Sequence, residues 1–164
     1  MTHPHAESPI AVSDAVTRAV SRICTEFFLE AAVGNADFFN GELVTALVFL
    51  AIMRENVRHI EHSPENTRAY GDAQSLPPDS EREPVTIYVV AKELGLTYET
   101  ARRHVKRLVD DGFCIRTERG LLIPTEVLKR PEVARGNVRT LANFNRMLTN
   151  AVRAGLIEVA VKGG

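Results

Sequence analysis

The sequence predicts a mainly α fold carrying one small β-wing. Three observations carry that expectation. Over residues 87–108 two short segments of period near 3.6 flank Gly95-Leu96-Thr97. Over 113–123 two β-prone runs surround a glycine-containing turn. Longer stretches with apolar residues at helical spacing lie on either side, at 13–33, 40–62 and 131–154.

Residues 1–12 hold two prolines and two histidines without periodicity and are expected to be disordered. Ser13 and Asp14 can cap a helix to about Val33, with Val16, Val20, Ile23, Phe27 and Glu30-Ala31 marking its inward side. Gly34-Asn35 is expected to break it, so 13–39 reads as an N-terminal helix and turn. The helix over 40–62 is apolar nearly all round in LVTALVFLAIM and polar in RENVRHIEH; a helix of that kind is buried on more than one side. It opens a domain spanning 40–124. Residues 63–83, with three prolines, one glycine and no apolar period, read as a long loop. Pro84-Val85 is expected to add a short strand to the wing, and Thr86 to cap the next helix.

Ile87, Val90, Ala91 and Leu94 form one apolar helical face. Gly95 stands where a left-handed C-terminal cap is needed, Leu96 turns back inward, and Thr97 caps a second helix over 98–109. In that helix Ala101, Val105 and Leu108 form the buried stripe, leaving Glu99, Arg102, Arg103, Lys106 and Arg107 to solvent. Gly112 ends it, completing a helix-turn-helix over 84–112. FCIRT (113–117) and LLI (121–123) around Glu118-Arg119-Gly120 make a hairpin over 113–124. Helix, turn, basic helix and two-stranded ribbon is a winged helix-turn-helix order. Residues 125–164 add a C-terminal helical extension: a short helix from Pro124-Thr125 and a longer one from Pro131 to about Ala154, before a β-prone LIEVAV tail. In the longer helix Val138, Leu141, Phe144 or Asn145, Leu148 and Val152 recur at helical spacing. That stripe needs a partner, either the N-terminal helices of the same chain or a second copy across a two-fold axis; a homodimer is expected.

GLTYETARRHVKRLVDDGFCIRTERGLLIP, with VVAKEL before it, resembles the recognition region of prokaryotic winged helix-turn-helix transcriptional regulators. Ala91, Gly95, Thr100, Arg102-Arg103 and the Leu108-to-Gly112 exit match that pattern, whereas Ala101 stands where Val or Ile is commoner. The resemblance covers residues 84–124 and assigns no subfamily. It implies that the partner is duplex DNA, read by the 98–109 helix in the major groove, with the wing on flanking DNA. Tyr98, Glu99, Arg102 and Arg103, at the leading end, are the candidate base readers, since Arg pairs bidentately with guanine. Lys106 and Arg107 are candidate phosphate contacts, and Thr97 and Thr100 contact the backbone or cap the helix. Arg116 lies on the ribbon and Arg119 at its tip. A winged domain that binds another protein instead of DNA is the alternative, the charged face then being only solvated surface.

Charge is distributed unevenly. Residues 1–83 hold six basic and thirteen acidic side chains, 84–124 seven and five, and 125–164 seven and three, so an acidic front precedes a basic back half. The longest apolar run, 43–53, is closed by Glu42 and Arg54, short of the roughly 20 residues of a membrane span. The N-terminus lacks the basic start and apolar core of a secretory signal, and a cytoplasmic location is expected. Cys24 and Cys114 lack ligand or disulfide spacing. His59 and His62 with Glu55 and Glu61 could be half a metal site, but a polar helix end explains them equally. Phe27, Phe28, Phe38, Phe39 and Phe49 suit an aromatic core better than a pocket for a small-molecule effector. No phosphate-cradling glycine loop, nucleophile motif or paired carboxylates occur, so neither catalysis nor a metal or cofactor is expected.

Overall fold

The computed structural model describes residues 14–61, 70 and 75–157. The stretch expected to be disordered, His62, most of the 63–74 segment and the tail from residue 158 lie outside the described residues. The order of elements is α1 (Asp14–Phe38), α2 (Leu43–Glu61), a 3-10 turn (Asp79–Glu81), α3 (Ile87–Leu94), α4 (Tyr98–Asp110), β1 (Ile115–Thr117), β2 (Gly120–Leu122), α5 (Thr125–Leu128) and α6 (Pro131–Arg153). The protein is mostly helical, with one small antiparallel sheet. Two compact units are present, Ala32–Arg139 and a discontinuous one of Met1–Ala31 with Thr140–Gly164. Residues 32–39 and 125–139 cluster with the central unit. Among the described residues no single helix is long and apolar enough to cross a membrane.

The central unit is built around α2. Its Ala46, Val48, Phe49, Ala51 and Ile52 are buried together with Ile87, Val90 and Ala91 of α3, Ala101, Val105 and Leu108 of α4, and Leu121 of β2. The broad apolar face of α2 follows, because α3, α4 and β2 all pack on it, whereas Leu43 and Leu47 remain exposed. Phe38, Phe39, Phe49 and Phe113 close one end as an aromatic cluster, Phe38 meeting Phe39 edge-on at 4.7 Å.

Two helix boundaries differ from expectation. Helix α1 runs through Gly34-Asn35 to Phe38. The helix accommodates Gly34, with the end of the flexible Arg139 side chain lying beside it and its Nη2 3.6 Å from Asp37. The break falls instead at Asn40 (φ 54°) and Gly41 (φ 84°), so α2 begins at Leu43.

Both helices of the 87–110 region end alike. Gly95 (φ 64°) and Gly112 (φ 72°) take the left-handed conformation, and the following N–H groups of Leu96 and Phe113 donate back to Ala91 and Leu108 carbonyls at 2.9 and 2.8 Å. Thr86 and Thr97 accept from the Val89 and Thr100 N–H groups at the opposite ends. In the hairpin Thr117 pairs with Gly120, so the loop is the two residues Glu118-Arg119 rather than three. Val85 adds an isolated bridge to Leu121, and a Cβ on Gly120 would sit 2.6 Å from the Val85 carbonyl oxygen. A glycine is required there by close approach as well as by its φ of 140°.

A buried side chain locks this corner. Asn56 of α2, fully enclosed, donates to the carbonyls of Glu83 (2.7 Å) and Leu121 (3.1 Å) and accepts from the Ile123 N–H (2.9 Å). Beside it the buried Arg82 donates to the Ile123 carbonyl, and Asp79 accepts from both the N–H and the hydroxyl of Thr125 at 2.7 Å. In the other unit, Ile23 and Ala151 are buried, Asn143 donates to the Phe27 carbonyl at 3.0 Å, and Arg146 pairs with Glu30 at 3.3 Å.

Asn56→Ala should be strongly destabilising. It strands the Ile123 N–H and removes two further bonds from the buried strand corner, at about 1–3 kcal/mol per unsatisfied buried group. Urea denaturation should show a lowered midpoint with an unchanged slope.

Candidate nucleic-acid interface

The exposed arc of α4 follows from its sequence. Ala101, Val105 and Leu108 are completely buried against α2 and α3, which forces the intervening positions outward. Tyr98, Glu99, Arg102, Arg103, Lys106 and Arg107 all lie exposed on this one helix. Thr97 and Thr100 are occupied with each other: Thr97 Oγ1 accepts the Thr100 N–H at 3.2 Å and lies 2.9 Å from Thr100 Oγ1. Both act as the cap. Arg116 is exposed on β1. Arg119, at the hairpin loop, borders an open cavity of about 280 Å³ shared with His59, Ile60, Ser80, Glu81, Arg82 and Glu83.

Most of the cations on α4 already have acidic partners. Arg102 makes a two-pronged contact with Glu99, at 2.9 and 2.6 Å. Lys106 meets Asp110 at 2.5 Å, and Arg107 reaches Glu42, just before α2, at 2.8 Å. Among the described residues Arg103 has no ion pair and no side-chain hydrogen bond, although its charge and that of Arg102 act on Glu99. Hydrogen bonding from Arg102, ahead of these charges, holds the Glu99 carboxyl below its ordinary range. All three pairs are solvent-exposed, where water screens them, so they orient the cations without removing them from use.

Compared with known proteins, the chain matches no family model, no curated protein and no solved structure. The functional reading therefore rests on geometry and on the residues themselves.

Three anchoring contacts are absent from the sequence reading. His104 lies on α4 beside Arg103, yet it is buried, its Nδ1 2.8 Å from the hydroxyl of the equally buried Thr45 on α2. Arg130 donates to the Gly112 carbonyl at 2.8 Å and stacks 5.0 Å from the centre of the Phe113 ring, securing the end of α4. Glu42 lies 65 positions before the arginine it pairs with, and only the fold brings the two together. The short-range pair of Lys106 with Asp110, by contrast, has an ordinary i,i+4 spacing that sequence could have shown. His59 donates through Nε2 to the Glu81 carbonyl at 2.8 Å, and Glu55 is engaged by Arg54 and Arg58. Among the described residues no cluster of three metal-ligating side chains occurs.

Burial, reinforced by Arg103 and Arg107 and partly opposed by Glu42, lowers the His104 pKa below its usual 6.5. The unfolded chain therefore binds a proton at higher pH than the folded one does. The stability present above pH 6.5 should be lost progressively as pH falls from there through the folded pKa. Melting temperatures measured between pH 8 and 5 should show this decline, and His104→Gln should flatten it.

Proposed function

We propose that this protein is a winged helix-turn-helix regulator that binds a specific duplex DNA site and controls transcription in the cytoplasm. The observation that carries the proposal is the two-sidedness of α4. One side is locked into the core by Ala101, His104, Val105 and Leu108, while the other presents Tyr98, Glu99, Arg102, Arg103, Lys106 and Arg107 to solvent. A rigid helix of this diameter fits the B-DNA major groove. In this reading Arg103, already unpaired, and Arg102, held by Glu99, meet base edges; Lys106 and Arg107 exchange Asp110 and Glu42 for phosphates. The hairpin, with Arg116 and Arg119, is the wing that contacts flanking DNA.

One observation favours a second reading. Three of the four cations on α4 are internally neutralised, and Tyr88 and Tyr98 are 67% and 51% exposed, as on a protein-docking surface. A winged module binding another protein has those properties too.

Selection of duplex fragments from sheared genomic DNA at low salt decides between them. The DNA reading requires enrichment of a common site and an affinity that falls with salt, at a log–log slope of about −0.9 per phosphate neutralised. Replacing Arg102 and Arg103 together by Ala should then weaken binding by about 10- to 100-fold per bidentate arginine–guanine pair, while circular dichroism and melting temperature stay at wild-type values. Arg119→Ala should instead weaken binding to all duplexes alike. Recovery of no DNA, or a folded double variant that binds as wild type does, removes α4 as the reader.

A further inference from the structure

The open cavity of about 280 Å³ that Arg119 borders lies in the central unit, between the end of α2, the 3-10 turn and the hairpin loop. Arg82 lines it as well, and this side chain is in an unusual state. It is only 5% exposed, yet its guanidinium has no ion pair among the described residues. Nη1 donates to the Ile123 carbonyl, but Nε is the one buried side-chain nitrogen or oxygen left without a partner among the described residues. Asp79 acts on the charge from nearby, but its carboxylate is taken by the N–H and hydroxyl of Thr125. Burial outweighs Asp79 and lowers the Arg82 pKa. Holding the Ile123 carbonyl accounts for one hydrogen bond of Arg82, and a neutral donor would supply that without the cost of burying an unpaired charge. Arg119, on the hairpin side of the cavity, is exposed, and its guanidinium also has no ion pair among the described residues.

We propose that this cavity binds a small zwitterion, a free α-amino acid, whose carboxylate meets Arg82 and Arg119 and whose ammonium group meets Glu81 and Glu83. The charges on the walls select this ligand. Glu81 and Glu83 line the same cavity, and neither has a Lys or Arg partner among the described residues. Glu83 has only His59, at 3.9 Å, and Glu81 accepts the Tyr70 hydroxyl at 2.5 Å. A simple anion would be repelled by these two carboxylates, and a simple cation would leave Arg82 uncompensated; a ligand of both signs satisfies both walls. The volume falls just below the roughly 300–1,000 Å³ of pockets for drug-sized molecules, which suits a small metabolite. Arg82 is the anchor, because a desolvated charge is screened far less than an exposed one. Neither arginine gives up an acidic partner on binding, in contrast to Arg102, Lys106 and Arg107 on α4. The site shares Arg119 with the proposed wing contact but does not depend on the DNA reading.

The experiment uses the full chain without DNA, with the proteinogenic L-amino acids as probes. Thermal melts at millimolar ligand should single out one amino acid, or a small group, that raises the melting temperature, and titration calorimetry should then give a single site per chain. The α-amide of that amino acid lacks the carboxylate and its des-amino acid lacks the ammonium group; each should bind at least about 10-fold more weakly, as for loss of a charge-assisted hydrogen bond. Arg119→Gln and Glu83→Gln, both at exposed positions, should keep the circular dichroism and unliganded melting temperature of wild type and each weaken binding by about 10- to 100-fold. In the wild-type chain the Nε–H magnetic resonance signal of Arg82 should move as the amino acid is added. No stabilising amino acid, analogues that bind as well as the parent, full affinity in both variants, or an unmoved Arg82 signal would each overturn the proposal.

Discussion

The central unit depends on burying the broad apolar face of α2. Only Leu43 and Leu47 of its apolar half are left exposed, so α3, α4 and the hairpin must all find a place on the rest, and the positions of the candidate site residues follow from that one requirement. Val48, Ile52, Val90, Val105, Leu108, Leu121 and Ile123 have essentially no exposure, and each buried aliphatic side chain contributes about 1.5–3 kcal/mol of apolar transfer free energy. The polar residues of α2 then add direction to a force that has none. Thr45 holds α4 through His104, Asn56 holds the strand corner through three backbone groups, and Arg54 pairs with Glu93 of α3. Non-directional burial gathers the elements, and these contacts set their register.

What is legible in the sequence is mostly what short-range chemistry decides. The caps at Thr86 and Thr97, the left-handed exits at Gly95 and Gly112 and the buried stripe of α4 each depend on a few neighbouring residues, and all occur as expected. The departures have long-range causes. Gly34 looks like a helix breaker, yet α1 runs through it to Phe38, packed beside the side chain of Arg139 from more than a hundred residues on. His104 sits among four cationic positions on α4, where it reads as either a packing or a phosphate residue, and Thr45 of α2 holds it in the core. Gly120 reads as part of the hairpin loop, whereas the third chain segment at Val85 accounts for it within the paired strand. The candidate cations follow from local pattern, but the neutralisation of Arg107 by Glu42 depends on tertiary placement that no local pattern reports.

The internal pairing of α4 also bears on how a charged helix stays specific. A row of free cations binds any polyanion, and its attraction is set by salt more than by sequence. On the proposed DNA reading, Glu99 and Asp110 of α4 and Glu42 just before α2 offset that general attraction and orient the cations they pair with. Only a surface that replaces each carboxylate with a well-placed acceptor recovers what separation of the pairs costs, which is discrimination by mismatch rather than by stronger attraction.

Cys114 has a use that its burial creates. It lies between the end of α4 and β1, 1% exposed, and burial raises its thiol to about 11, whereas Cys24 is exposed on α1. At neutral pH an alkylating reagent meets almost no thiolate at Cys114 while the hairpin stays seated. Any modification there, once Cys24 has been blocked, must pass through a transient lifting of the ribbon from α2. The two cysteines thus give the chain a built-in clock. The slow labelling phase times how often the hairpin leaves the core, and its dependence on denaturant separates a local excursion from unfolding of the whole unit.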